Sequence, residues 1–270
     1  MSASEVVERR RRGVRPLQSI RRAARRWVRH LGIRLSLLPQ LADRGYMICT
    51  TPRSGSNYLC QLLASTGQLG NPIEYFNTRS RRKHTDAKYP KDRNGQIDII
   101  RSMGATPNGI YAVKVMPLQY RRAAMKVDLF RELPNLKLVR LRRRDVLGQA
   151  ISVARVRQTG LFRASNRASG TSVYDFEDIG NCIQAVRARE SMWDRLMLEL
   201  GVQPLTLEYE DVMRDPQAAV DQIAALMGLA TSPPIDPARV LVTVQRDRET
   251  DAWRQRFLAD TGGEFRHLES

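Results

Sequence analysis

From residue 44 onward, short apolar runs alternate with longer stretches of helical spacing. The runs 46–50, 110–115, 136–141 and 205–209 are rich in Val, Ile, Leu and Tyr and too short for helices, so each predicts a buried strand. Apolar positions recur with helical period over about 55–66, 118–132, 145–158, 180–200 and 216–228. Asp215-Pro216 marks one helix start, a capping carboxylate followed by proline at the first helical position. Strands that alternate with helices imply an α/β domain whose mostly parallel sheet is covered on both faces. Residues 77–108 are polar and without clear period, and a stretch of that length reads as a functional loop or lid. The chain has no internal repeat.

Ligands of open parallel sheets gather at the carboxyl ends of the strands, where strand order reverses. The first strand runs into Thr51-Pro52-Arg53-Ser54-Gly55-Ser56-Asn57, and helical spacing begins at once with Leu59, Leu62 and Leu63. The first amides of such a helix point outward along the positive end of its dipole and suit a phosphate or sulfate. Arg53 adds a charged fork, and Ser54, Ser56 and Asn57 add neutral donors around Gly55. The chain has no Gly-Lys pair and no G-x-G-x-x-G, so neither a nucleoside-triphosphatase loop nor a dinucleotide fingerprint is present. Taken alone, the same residues also fit an ordinary turn capped by Ser54 or Ser56.

Two other strand ends carry cations. Lys114 closes the second, where it serves the anion, reaches solvent or pairs with an acid, and Arg142-Arg143-Arg144-Asp145 follows the third. Arg142 and Arg143 read as solvated charges. Arg144 is expected to be oriented by Asp145, and with Ser152 eight residues on it offers a second phosphate grip.

Charge and composition narrow the partners. The 270 residues carry a net charge of +17, of which residues 1–43 hold 11 Arg against Glu5, Glu8 and Asp43. That segment reads as a partly disordered or helical basic arm, and 44–270 as a single domain. The arm is compatible with peripheral contact at an anionic membrane face, although no apolar run approaches the roughly 18 residues that span a bilayer. Cys49, Cys60 and Cys182 are odd in number and lack C-x-x-C spacing, which fits reduced thiols in the cytoplasm and excludes a zinc motif. A nucleic-acid binder would spread its cations among aromatics, yet aromatics are 6% of residues and the informative arginines sit at strand ends.

The chain resembles the bacterial trehalose 2-sulfotransferase-like family of carbohydrate sulfotransferases. The resemblance rests on T-P-R-S-G-S-N at 51–57, G-N-P-I-E-Y-F at 70–76, T-P-N-G-I-Y-A-V-K-V-M at 106–116, R-R-D-V-L-G-Q-A-I-S at 143–152 with Gln158-Thr159-Gly160, and L-E-Y-E-D-V at 207–212. It implies the sulfotransferase fold, a P-loop-like three-layer α/β sandwich around a central, mostly parallel sheet. It also implies 3′-phosphoadenosine 5′-phosphosulfate (PAPS) as co-substrate and no metal. The phosphosulfate would lie on Arg53, Ser54, Gly55, Ser56 and Asn57, and the 3′-phosphate on Arg144 and Ser152. A sugar or glycolipid hydroxyl, trehalose-like or of lipopolysaccharide type, would attack sulfur with Glu74 as general base. Arg53 and Lys114 would stabilise the leaving charge.

A sugar hydroxyl is too weakly acidic to ionise at neutral pH, so a carboxylate acceptor is chemically apt. Cytosolic eukaryotic relatives place a histidine two residues after the strand lysine, where this chain has Met116, which takes no proton; His30, His84 and His267 fall in no such motif. Tyr75, Phe76 and Asn77, and the segment from Gln158 to Phe162, are candidates to line a sugar pocket, with the alternative that Tyr75 and Phe76 pack the first helix to the sheet, while Trp193 reads as core. A homodimer is compatible with the resemblance. The competing readings are a nucleotide-dependent phosphotransferase with a degenerate phosphate loop, and a basic nucleic-acid-binding protein.

Overall fold

The computed structural model describes residues 41–160, 172–242 and 248–268. Residues 1–40 of the basic arm and positions 161 and 162 lie outside the described residues. Four parallel strands, β1 (Arg44–Cys49), β2 (Ile110–Val115), β3 (Leu136–Arg142) and β4 (Leu205–Glu208), stand in the order β2-β1-β3-β4. After β1 the chain carries α1 (Ser56–Ser65), α2 (Thr78–His84) and α3 (Arg93–Ser102); after β2, α4 (Pro117–Ala124) and α5 (Leu129–Glu132). α6 (Val146–Thr159) and α7 (Phe176–Leu200) follow β3, and α8 (Tyr209–Arg214), α9 (Pro216–Leu226) and α10 (Arg248–Asp260) follow β4.

Period-2 alternation explains the layers. Tyr46 and Ile48 pack on one face of the sheet with Leu59, Leu62 and Leu63 of α1 and Val220 and Ile223 of α9. Met47 and Cys49 pack on the other with Ile97 and Ile100 of α3 and Trp193 and Met197 of α7. Leu59 and Leu63 are fully buried, each stabilising the fold by about 1.5–3 kcal/mol relative to exposure. α10 lies on α6 and α7 through Trp253 and Phe257. Three layers around a parallel sheet follow.

The chain steps from β1 to β2 on one side and then to β3 on the other, so strand order reverses at β1. In register, Cys49 stands opposite both Val115 and Arg140. The ends of β1, β2 and β3 therefore open at one level of the same edge.

The segment 77–108 is not one loop: it contains α2 and α3, capped by the side chains of Asn77 and Asp92. α2 buries no residue at all and α3 only Gln96, Ile97 and Ile100, so neither has a stripe wide enough to read from sequence. The single helix expected over 118–132 is broken by Asp128, which caps a separate turn. Tyr209 leaves its strand to open α8, and α7 begins at Phe176, capped by Asp175.

Candidate active site

The loop after β1 is tight. Arg53 and Gly55 both adopt left-handed backbone, with φ of 62° and 79°. A Cβ on Gly55 would lie 2.1 Å from Tyr209 Cδ2, so glycine is required twice over, by its φ and by the ring against it. Ser54 is fully buried; its hydroxyl donates to the Thr51 carbonyl at 2.9 Å and lies 2.5 Å from the Thr50 hydroxyl. Its side chain thus shapes the loop from within. No side chain caps α1, which leaves its first amides for a ligand.

Long-range contacts fix the loop from behind. Gln149 of α6 donates to the Thr51 hydroxyl at 2.9 Å and the Pro52 carbonyl at 2.7 Å, Thr51 donates to Glu190 at 2.7 Å, and the Trp193 indole donates to the Thr50 carbonyl at 2.9 Å. Glu190 in turn holds the buried Arg140. A sequence reading of single motifs misses Glu190 and Arg140 and gives Gln149, inside the motif at 143–152, no role of its own, because each is polar at a position whose partner is far along the chain.

Arg53 donates through Nε to the Ser152 hydroxyl at 2.8 Å. Burial first, then the charges of Arg143 and Arg155, hold its guanidinium below the usual arginine range. Cations crowded this closely favour an anion among them. Arg143 was expected to be solvated, but it is largely buried: it donates to the Arg53 carbonyl at 3.3 Å, pairs with Asp145 at 2.8 Å and lies 5.2 Å from the Tyr209 ring centroid. Asp145 also accepts from Arg254 of α10 at 2.7 Å and caps α6 by accepting from the Gly148 amide at 2.8 Å. Asp145 thus serves Arg143, and Arg144 is oriented by a different acid. The Arg144 guanidinium forks onto Asp211 at 3.0 and 3.1 Å, which raises it above the usual arginine range. Among the described residues no hydrogen bond joins Arg144 to Ser152.

Burial pushes the Asp145 carboxyl up, but the Arg254 hydrogen bond, the charge of Arg143 and the Gly148 amide hold it below the ordinary carboxylate range. Its stabilisation is therefore present above about pH 4 and is lost as pH falls through the lower folded-state value. Asp145→Asn removes the carboxylate charge that Arg143 and Arg254 share, and urea denaturation should show a loss of about 3 kcal/mol. A loss below about 0.5 kcal/mol would contradict the role of this carboxylate as the hub.

The second cluster lies where β2 ends. Lys114, 5% exposed, places Nζ 2.6 Å from Asn57 Oδ1 and 3.1 Å from Glu74 Oε1. Glu74 Oε2 accepts from Asn77 at 3.0 Å and Gln119 at 2.8 Å. Both amides have fixed orientations: the Asn77 oxygen accepts from the Ser80 amide at 3.3 Å, and the Gln119 oxygen from the Met116 amide at 3.1 Å. Burial raises the Glu74 carboxyl, but Lys114 and the two amides outweigh it and hold it below the usual glutamate range. At neutral pH Glu74 is an ionised acceptor. Gln119 lies in no legible motif, and Asn77, a candidate for the sugar pocket, holds the Glu74 carboxylate and caps α2.

Tyr75 and Phe76 are 2% and 3% exposed and belong to the core, which leaves no ring face there for a sugar. Trp193 is core as expected. All three cysteines are buried and free. Burial pushes the Cys49 thiol up to about 12 and the Cys60 thiol up to about 11, so neither supplies a thiolate. Among the described residues no group of three or more His, Cys, Asp or Glu is placed to hold a metal ion, and no helix is long and apolar enough to cross a membrane.

The chain is similar to known proteins. The trehalose 2-sulfotransferase of Mycobacterium tuberculosis is 26% identical over 261 residues, covering 81% of this chain and 96% of its own. The trehalose 2-sulfotransferase of Mycolicibacterium smegmatis is 26% identical over 258 residues, covering 80% and 94%. Among solved structures, the sulfotransferase domain of the Synechococcus PCC 7002 olefin synthase aligns with a TM-score of 0.40 and 15% identity over 81% of this chain and 96% of that one. The model of the Stf0 sulphotransferase family matches residues 45–260, a span that holds the loop after β1, the Glu74–Lys114 pair and the arginines after β3, and the chain belongs to that family.

Proposed function

We propose that this sulfotransferase moves a sulfuryl group from PAPS to a hydroxyl of a saccharide or glycolipid, with Glu74 as the base. The observation that carries this reading is the contact of Lys114 with both Asn57 and Glu74, which couples the anion loop to an ionised carboxylate. As the sugar oxygen bonds to sulfur, its proton passes to Glu74. The bond from sulfur to the phosphate oxygen breaks, and 3′-phosphoadenosine 5′-phosphate (PAP) leaves. Arg53, Lys114 and the amides at the start of α1 stabilise the charge that grows on the phosphate side. Ser54 and Gly55 set the loop, and Ser56 and Asn57 face the donor from the first turn.

Arg144, with Ser152, is assigned to the 3′-phosphate. Its pair with Asp211 is solvent-screened, so a phosphate can replace that partner at little cost. Trehalose is the first acceptor to try, since relatives of similar length are named for sulfation of trehalose. Residues 44–270 act as one catalytic domain in this reading, which assigns the protein to the cytoplasm.

Titration with PAP and with ATP tests the donor. PAP should bind tightly and ATP far more weakly, and Arg144→Ala should weaken PAP by about tenfold or more. Tight ATP binding with indifference to the 3′-phosphate would favour the phosphotransferase instead. Unchanged PAP affinity in Arg144→Ala would remove that residue from the donor site.

A further inference from the structure

The segment between Glu74 and β2 carries charges that sulfuryl transfer as described does not use. α2 starts directly after Asn77, the residue whose side chain caps it and also holds Glu74. Arg79, Arg81, Arg82 and Lys83 lie in α2, followed by Lys88, Lys91 and Arg93. Of the three acids between Glu74 and β2, Asp86 accepts from the Lys88 amide at 2.7 Å and Asp92 from the Gly95 amide at 2.7 Å, while Asp98 lies beyond these cations in α3.

Three of the cations brace the segment. The Arg81 guanidinium lies 5.9 and 5.7 Å from the Tyr75 and Tyr89 ring centroids, Arg82 donates to the Tyr89 carbonyl at 2.6 Å, and Arg93 lies 5.5 Å from the Phe76 ring. The Tyr89 hydroxyl closes the brace by donating to the Tyr75 carbonyl at 2.7 Å. α2 is thereby tied to the chain that carries the base. The other four, Arg79, Lys83, Lys88 and Lys91, are exposed and make no ion pair with a described residue. Arg79 and Lys83 are four apart on one helix face, where like charges repel, and α2 buries nothing that repays them. Local stability therefore does not explain Arg79, a cation in the first turn, where the helix dipole disfavours it.

We propose that α2 and the turn behind it form a subsite for a negatively charged group on the acceptor, so that the acceptor is an acidic saccharide bearing a phosphate or carboxylate. This rests on the assignment of Glu74 as the base. Arg79 follows Glu74 by five residues, at most about 18 Å of chain, within reach of one or two sugar rings. A hydroxyl at Glu74 and an anion at α2 then orient the ring between them. The donor does not need these cations, since Arg53 and Arg144 stand at the other strand ends.

The test compares trehalose 6-phosphate with trehalose by calorimetric titration, with and without saturating PAP, for the wild type and for Arg79→Gln/Lys83→Gln. The wild type should bind the phosphorylated sugar at least about tenfold more tightly, by an advantage that shrinks as salt is raised. In the double variant the advantage should fall below about threefold. Equal affinity for the two sugars, no binding of either, or an undiminished advantage in the variant overturns the subsite. Loss of PAP affinity in the variant also overturns it, because the cations then belong to the donor. Failure of the wild type to bind PAP strikes the sulfuryl-donor reading instead, and the titrations without PAP still decide the subsite.

Discussion

Glu74→Gln should bind PAP as the wild type does and lose turnover by about 100- to 10,000-fold, the range a positioned general base contributes. The geometry gives this variant a second signature. Glu74 faces only donors: the Lys114 ammonium at one oxygen and the Asn77 and Gln119 amides at the other. Neither amide can turn round, because its oxygen is already engaged by a backbone N–H. A glutamine at position 74 keeps its oxygen on Lys114 and opposes its own NH2 to those two amides. The fold should therefore lose about 1–3 kcal/mol, visible in denaturant melts. Lost turnover with intact PAP affinity supports the base role, and turnover within about tenfold of wild type would remove it.

The Glu74 carboxyl lies below the usual glutamate range, which fixes the sign of the pH dependence. Its stabilising contacts are complete above about pH 4.3 and disappear as pH falls through the lower folded-state value. The acid limb of kcat/KM should accordingly fall below about pH 4.3 in the wild type.

Much of this site was legible because its residues follow strands. Apolar runs predicted β1 to β4, and parallel strands must open their carboxyl ends on one side of the sheet, which brings Arg53, Lys114 and Arg144 to one edge. Glu74 came from a motif rather than from periodicity, since the polypeptide around it has no regular structure. The errors share a cause. Arg143 looked solvated because the groups that bury it, Tyr209 and the Asp145–Arg254 pair, are contributed by α8 and by a helix 109 residues beyond Asp145. Arg140 pairs with Glu190 across 50 residues, so the signal for a buried charge is absent from its neighbours. α2 went unseen because a helix stapled by guanidinium–ring contacts and a cap needs no apolar stripe.

Lys114→Met should cost about 100- to 1,000-fold in kcat/KM and move the acid limb to higher pH. Methionine retains the buried volume of the lysine stem but takes away the charge between Asn57 and Glu74. Without that charge, burial is opposed at Glu74 only by the two amides, so the carboxyl rises and is protonated over more of the acid range. The opposite expectation, that a more basic Glu74 speeds the reaction, fails under the proposed mechanism, in which the lysine acts on both sides of the transferred group. As negative charge develops on the phosphate side, Nζ can shift from Glu74 toward it, and the shift itself makes Glu74 more basic at the moment the proton arrives. A methionine supplies neither effect. A variant with a displaced acid limb and near-normal turnover would confine Lys114 to tuning Glu74. A large loss of turnover with the acid limb unmoved would confine it to the leaving charge, and only the two changes together support one lysine serving both.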